Sequence, residues 1–161
     1  MTNIFDFAMQ MEKDGEEYYR KLAQQAGNKG MRTILTLLAD EEVKHYNAID
    51  KVKTQQTQIA DSEILADAKN IFVQIKESGE NFDFDDNQED LYKKARDIEK
   101  KSRDFYTEKA NEVTEGYQKE LFLTLAIEEQ KHYVLLDNII DFISRPEQWL
   151  ENAEFFHLED I

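Results

Sequence analysis

The 161-residue sequence has no cysteine, one proline and five glycines. Without a thiol the chain can form no disulfide, thiolate nucleophile, zinc ribbon or iron–sulfur centre, so any metal it binds must be held by oxygen and imidazole. With so little proline and glycine, and with Glu, Lys, Leu, Ala and Gln plentiful, little interrupts long helices. Long hydrophobic runs are missing as well. No stretch approaches the roughly 20 apolar residues of a membrane span, and the N-terminus MTNIFDFAMQME lacks a basic segment followed by an apolar one, so a soluble cytoplasmic protein is expected. Positive charge is scarce too: 20 basic residues against 35 acidic ones give a formal charge of −15. That balance repels phosphate backbones and anionic lipid, so neither nucleic acid nor a membrane is an expected partner.

The length suits one domain with a substantial core, and the apolar spacing predicts an all-α fold. Apolar residues recur at helical spacing over 4–26, where Gly27 and Asn28 supply a stop, and again over 30–55. A crossover over 56–86 is expected to hold a short helix, capped by Asp61 or Ser62 and ending near Glu77, followed by an acidic loop. Two more long helices are predicted over 87–113 and 117–144, before Pro146 and a tail over 146–161. This makes a four-helix bundle of two antiparallel hairpins over 1–145.

The two hairpins repeat one another without a gap, at a constant offset of 87 residues. Glu12, Tyr19, Glu42 and His45 meet Glu99, Tyr106, Glu129 and His132, and the string EEVKHY from Glu41 meets EEQKHY from Glu128. Two amphipathic hairpins would agree by chance at Leu and Ile, leaving polar positions free to drift. Here the acids, His and Tyr agree while many apolar positions drift.

The spacing also fixes a geometry. The midpoint of Glu12 and Glu42 is residue 27, in the first predicted turn, and that of Glu99 and Glu129 is residue 114, in the last, so each hairpin sets its two glutamates at one height. Glu42 and His45 stand about 4.5 Å apart along the helix axis on adjoining azimuths, as do Glu129 and His132, so each pair can reach one point inside the bundle. Four carboxylates converging there would repel by roughly 4 kcal/mol per close pair, besides their desolvation cost. Two divalent cations would balance them. Oxygen and imidazole without thiolate favour iron or manganese over a closed zinc site, so two Fe ions are expected, with Mn or a mixed pair as the alternative. One Glu from each of two helices plus Glu-x-x-His from each of the other two is the ligand set of di-iron carboxylate bundles.

Other residues are candidates around this set. Tyr19 and Tyr106 lie two turns beyond Glu12 and Glu99, on the same face, and could hydrogen-bond carboxylates of the opposite hairpin. Glu41 and Glu128 could accept the second ring N–H of the opposite hairpin's histidine. Gly15 and Ser102, one turn beyond Glu12 and Glu99, leave space either for an oxidant or for close helix packing. Trp149, Phe155 and Phe156 are expected to cover the bundle or a partner subunit, and His157 is read as no ligand.

On these residues the chain resembles the ferritin-like superfamily over about 4–144, and within it the small rubrerythrin-family proteins that lack a rubredoxin domain. The resemblance implies that Glu12, Glu42, His45, Glu99, Glu129 and His132 are di-iron ligands with Tyr19 and Tyr106 beside them. It implies reduction of hydrogen peroxide or dioxygen, an external electron donor such as a rubredoxin, and a homo-oligomer, most simply a dimer. Rubrerythrins carry a further Glu one turn after the ligand of the third long helix, where this chain has Ser102; its six-residue set is closer to that of bacterioferritin. Ferroxidase activity with iron storage, or metal binding without catalysis, are the alternatives.

Overall fold

A computed structural model of the chain describes residues 3–52, 62–79, 86–151 and 158. Six helices and no strand occur among them: α1 Ile4–Gln25, α2 Lys29–Val52, α3 Ile64–Ser78, α4 Asp86–Ala110, α5 Gly116–Ser144 and α6 Pro146–Glu151. Helices α1 and α2 pack as one hairpin and α4 and α5 as another, with α3 laid against α2 and α5. The fold is an all-α, ferritin-like helical bundle. No helix among the described residues is long and apolar enough to cross a membrane.

Local chemistry sets the helix ends. Asn3 caps α1, its side-chain oxygen accepting the Asp6 N–H at 2.8 Å. The end of α1 differs from the expectation of a glycine stop: Ala26 turns the chain out with an extended backbone (φ −72°, ψ 123°). Asn28 serves α2 instead, its side-chain oxygen accepting the Met31 N–H at 3.0 Å. At the start of α3 the residue outside the helix is Glu63, with no side-chain cap of its own, and the Ser62 hydroxyl takes the Ile64 N–H at 3.4 Å. Asp61 and residues 53–55, expected to belong to the cap and to the second helix, lie outside the described residues. Gly79 closes α3 in the left-handed region (φ 69°), a conformation open to glycine at little steric cost.

The third long helix stops at Ala110 rather than 113, because the Asn111 and Glu112 N–H groups fold back on the carbonyls three residues earlier, those of Glu108 and Lys109. Pro146 ends α5, as the sequence reading has it, and also opens α6, since a proline at the first helical position forgoes an N–H that would have had no intrahelical partner. The tail therefore begins as a helix.

Two apolar clusters fill the bundle. The first gathers Leu22, Ile34, Leu35 and Leu38 with the buried faces of α3, α6 and the second half of α5; the second gathers Ala8, Ile49, Val52, Tyr106, Phe122 and Leu125. Residues of intermediate height, including both Glu-x-x-His pairs, lie between them. Phe72 of α3 is fully buried, with its ring centroid 5.4 Å from that of Phe142 and 4.7 Å from that of Trp149. Trp149 thus covers the end of the bundle; Phe155, Phe156 and His157 lie outside the described residues. Because one ring joins α3, α5 and α6, Phe72→Ala is expected to cost about 3–5 kcal/mol, read as a lowered midpoint in urea unfolding followed by circular dichroism.

Candidate metal centre

Each helical hairpin lifts the same side chains into the gap between the two apolar clusters. Helix α1 brings Glu12, α2 brings Glu42 and His45, α4 brings Glu99, and α5 brings Glu129 and His132. None of these six is more than 4 % exposed, which for four glutamates in one place is exceptional.

They converge as two quartets. Glu12, Glu42, His45 and Glu129 offer ligand atoms that all lie within 4.8 Å of one another, and so do Glu42, Glu99, Glu129 and His132. Glu42 and Glu129 belong to both groups, while Glu12 and Glu99 each belong to one. Nδ1 of His45 lies 3.0 Å from Glu129 Oε1 and 3.4 Å from Glu12 Oε2; Nδ1 of His132 lies 3.4 Å from Glu42 Oε1 and from Glu99 Oε1. These contacts are close but not aligned as hydrogen bonds. Both nitrogens of both rings, and one oxygen each of Glu12, Glu42, Glu99 and Glu129, are buried with no hydrogen-bond partner. In a dry interior such atoms are costly, and a cation in each quartet would satisfy them together. Donors about 2.1 Å from a common ion stand no more than about 4.2 Å apart, so the quartets need only a small contraction. The donor set thus fits two metal ions.

Both tyrosines cross between hairpins. Tyr19 Oη donates to Glu99 Oε1 and Tyr106 Oη to Glu12 Oε1, with both hydroxyls buried. Burial pushes both phenols well above their ordinary range and the nearby carboxylates push further, so each keeps its proton and orients a carboxylate that serves a single centre.

The four carboxyls divide by environment. Burial, reinforced by the other carboxylates, raises Glu42 and Glu129 well above the carboxylate range. Burial opposes ionisation of Glu12 and Glu99 as well, but the histidines outweigh it, with hydrogen bonds from the tyrosines helping, and both fall below that range.

Glu41 and Glu128 depart from the symmetric role expected of them. Glu128 is fully buried, and its Oε1 accepts the Ser62 N–H at 3.2 Å and pairs with Lys131 Nζ at 3.0 Å, while Lys131 also donates to the Ser62 carbonyl at 3.3 Å. The start of the crossover helix has claimed this carboxylate, so it bonds no histidine. Glu41 has an oxygen within 4.8 Å of a ring nitrogen of both His45 and His132, yet bonds Lys44 at 3.2 Å rather than either ring. The contacts of Ser62 and Lys131 with Glu128 escaped the sequence reading, which took Ser62 only as a candidate helix cap. Lys131 sits three residues after Glu128, but Lys44 stands in the same relation to Glu41, and only the path of the crossover separates them.

Gly15 is buried against the centre: a Cβ there would stand 3.4 Å from Cδ and Oε2 of Glu42. The close approach of α1 to that carboxylate leaves little space beneath the glycine.

The rubrerythrin family model matches residues 3–140. The chain belongs to the rubrerythrin family. Members of this family typically bind a di-iron site, and in this chain the buried Glu and His groups could hold metal at the positions just described. No curated protein and no solved structure matches the chain.

Two outcomes follow from this arrangement. Because burial and mutual repulsion raise Glu42 and Glu129 well above the carboxylate range, uptake of divalent ions should be accompanied by proton release, seen as a dependence of calorimetric heats on buffer ionisation enthalpy. Uptake without proton release contradicts the pairing of raised and lowered carboxyls. Tyr106→Phe, which deprives buried Glu12 of its donor, is expected to lower the stability of the metal-free protein by about 1.5–3 kcal/mol in urea unfolding.

Proposed function

We propose that this chain is a di-iron oxidoreductase that reduces hydrogen peroxide or dioxygen, with Glu12, Glu42, His45, Glu99, Glu129 and His132 as iron ligands. The observation that carries the reading is the pair of quartets sharing Glu42 and Glu129, which suits two ions held close together. Bound as ferrous iron, the pair supplies two electrons at one place, enough to cleave one O–O bond. Reduction of hydrogen peroxide then consumes two electrons and two protons and yields two waters.

The protein's own part is to hold and exclude. Glu42 and Glu129 join the halves of the site, and Glu12 and Glu99 complete them under the orientation of Tyr106 and Tyr19. The apolar clusters on either side keep bulk water from the carboxylates, so the charges act in a medium of low polarity. Without cysteine the chain has no thiolate-bound iron of its own to pass electrons, so turnover calls for an external donor such as a rubredoxin.

The test is stopped-flow mixing of the ferrous-loaded protein with hydrogen peroxide and, separately, with dioxygen. Both irons should oxidise faster than ferrous ion in buffer; equal rates would end this reading. A large hollow assembly in sedimentation, filling with ferric mineral under dioxygen, would favour iron storage instead. His45→Ala combined with His132→Ala should abolish two-ion binding while most helicity persists, and retained stoichiometry would refute the ligand set.

A further inference from the structure

A groove of about 520 Å³ opens between α1 and α4, on the two helices that contribute no histidine. Phe7, Met11, Ile98 and Phe105 give it apolar walls; Phe7 is half exposed and its ring centroid lies 5.0 Å from that of Phe105. Gly15 and Ser102, which the internal repeat relates to one another, also line it. At Gly15 only backbone separates the groove from the Glu42 carboxylate, the group shared by both quartets. The groove, which Asp14, Tyr18 and Lys101 complete, is therefore a largely apolar pocket that abuts the wall of the site at Gly15.

Hydrogen peroxide and dioxygen are a few ångströms across and need no such chamber, and a strongly hydrated solute gains nothing from aromatic and aliphatic walls. The volume falls in the range of about 300–1,000 Å³ usual for pockets that take small organic molecules. We propose that the groove binds the organic part of an alkyl or aryl hydroperoxide and points its peroxide group toward Gly15 and Ser102, where α1 packs against Glu42. This rests on the peroxide-reducing reading above and names its substrate class. The overall reaction breaks the O–O bond and gives the alcohol and water, with two protons from solvent and two electrons from two ferrous ions that become ferric.

Cumene hydroperoxide is a suitable substrate, and its product, 2-phenylpropan-2-ol, is an unreactive probe of the groove. Calorimetric titration of the metal-loaded protein with this alcohol should show saturable binding, lost in Ser102→Phe, which fills the groove. In stopped flow with the ferrous protein, the preference for cumene hydroperoxide over hydrogen peroxide should fall by about tenfold or more in the same variant. Ile98→Trp, one turn earlier on α4, also blocks the groove and replaces Ser102→Phe if an ion count or circular dichroism shows that variant to be damaged. Absence of alcohol binding, an unchanged preference in a folded and metal-replete variant, or burial of the groove by a second copy of the chain in sedimentation and cross-linking would overturn the proposal while hydrogen peroxide still oxidises the iron. If neither peroxide oxidises the ferrous protein faster than ferrous ion in buffer, the underlying reading falls, and the proposal falls with it whether or not the alcohol binds.

Discussion

Repulsion among four buried glutamates is the constraint around which this bundle is arranged. Carboxylates of like charge within a few ångströms, in a medium that screens poorly, cannot all ionise unless positive charge joins them. The chain meets this partly by itself. Two of the four are pushed well above the carboxylate range, the other two lean on histidines, and the tyrosines hold the latter from across the bundle. Both nitrogens of both rings and half the carboxylate oxygens still lack partners, and that residue of unmet demand is what marks the place for cations.

The apolar clusters are best understood in relation to that demand. Each hairpin needs tight packing above and below the glutamates, because a helix that could slide or rotate would let them swing toward water. Leu35, Leu38 and Phe72 hold one side, while Ile49, Phe122 and Leu125 hold the other. The crossover contributes in the same way: α3 completes the first cluster, and its start is fastened to Glu128, next to a residue of the site. Stability and site geometry therefore share the same contacts.

The convergence of these six side chains was readable in the sequence because a repeat preserves what chemistry requires. Glu12 with Glu99, and Glu42-x-x-His45 with Glu129-x-x-His132, stand out against helices whose apolar residues have been exchanged freely. The tyrosine faces were readable for the same reason. What could not be read depends on contacts between residues distant in the chain. Glu128 and Glu41 occupy equal places in the repeat, and only the passage of Ser62 over one of them makes them different. The groove was hidden because Phe7, Met11, Ile98 and Phe105 look like ordinary members of apolar stripes until α1 and α4 are set side by side. Helix ends were read least well where backbone geometry departed from the usual glycine stop, as at Ala26, or where one residue served two helices, as at Pro146.

The fastening of Glu128 to the crossover has a consequence for the two halves of the centre. The internal repeat relates the site residues, but beside Glu129 lies a sealed carboxylate locked to Lys131 and Ser62, and beside Glu42 lies a partly open one paired with the exposed Lys44. The two positions for metal are thus related as siblings and not as twins. A chain whose two halves repeat one another has, through one asymmetric connection, a left and a right, so two cations held there would meet different surroundings.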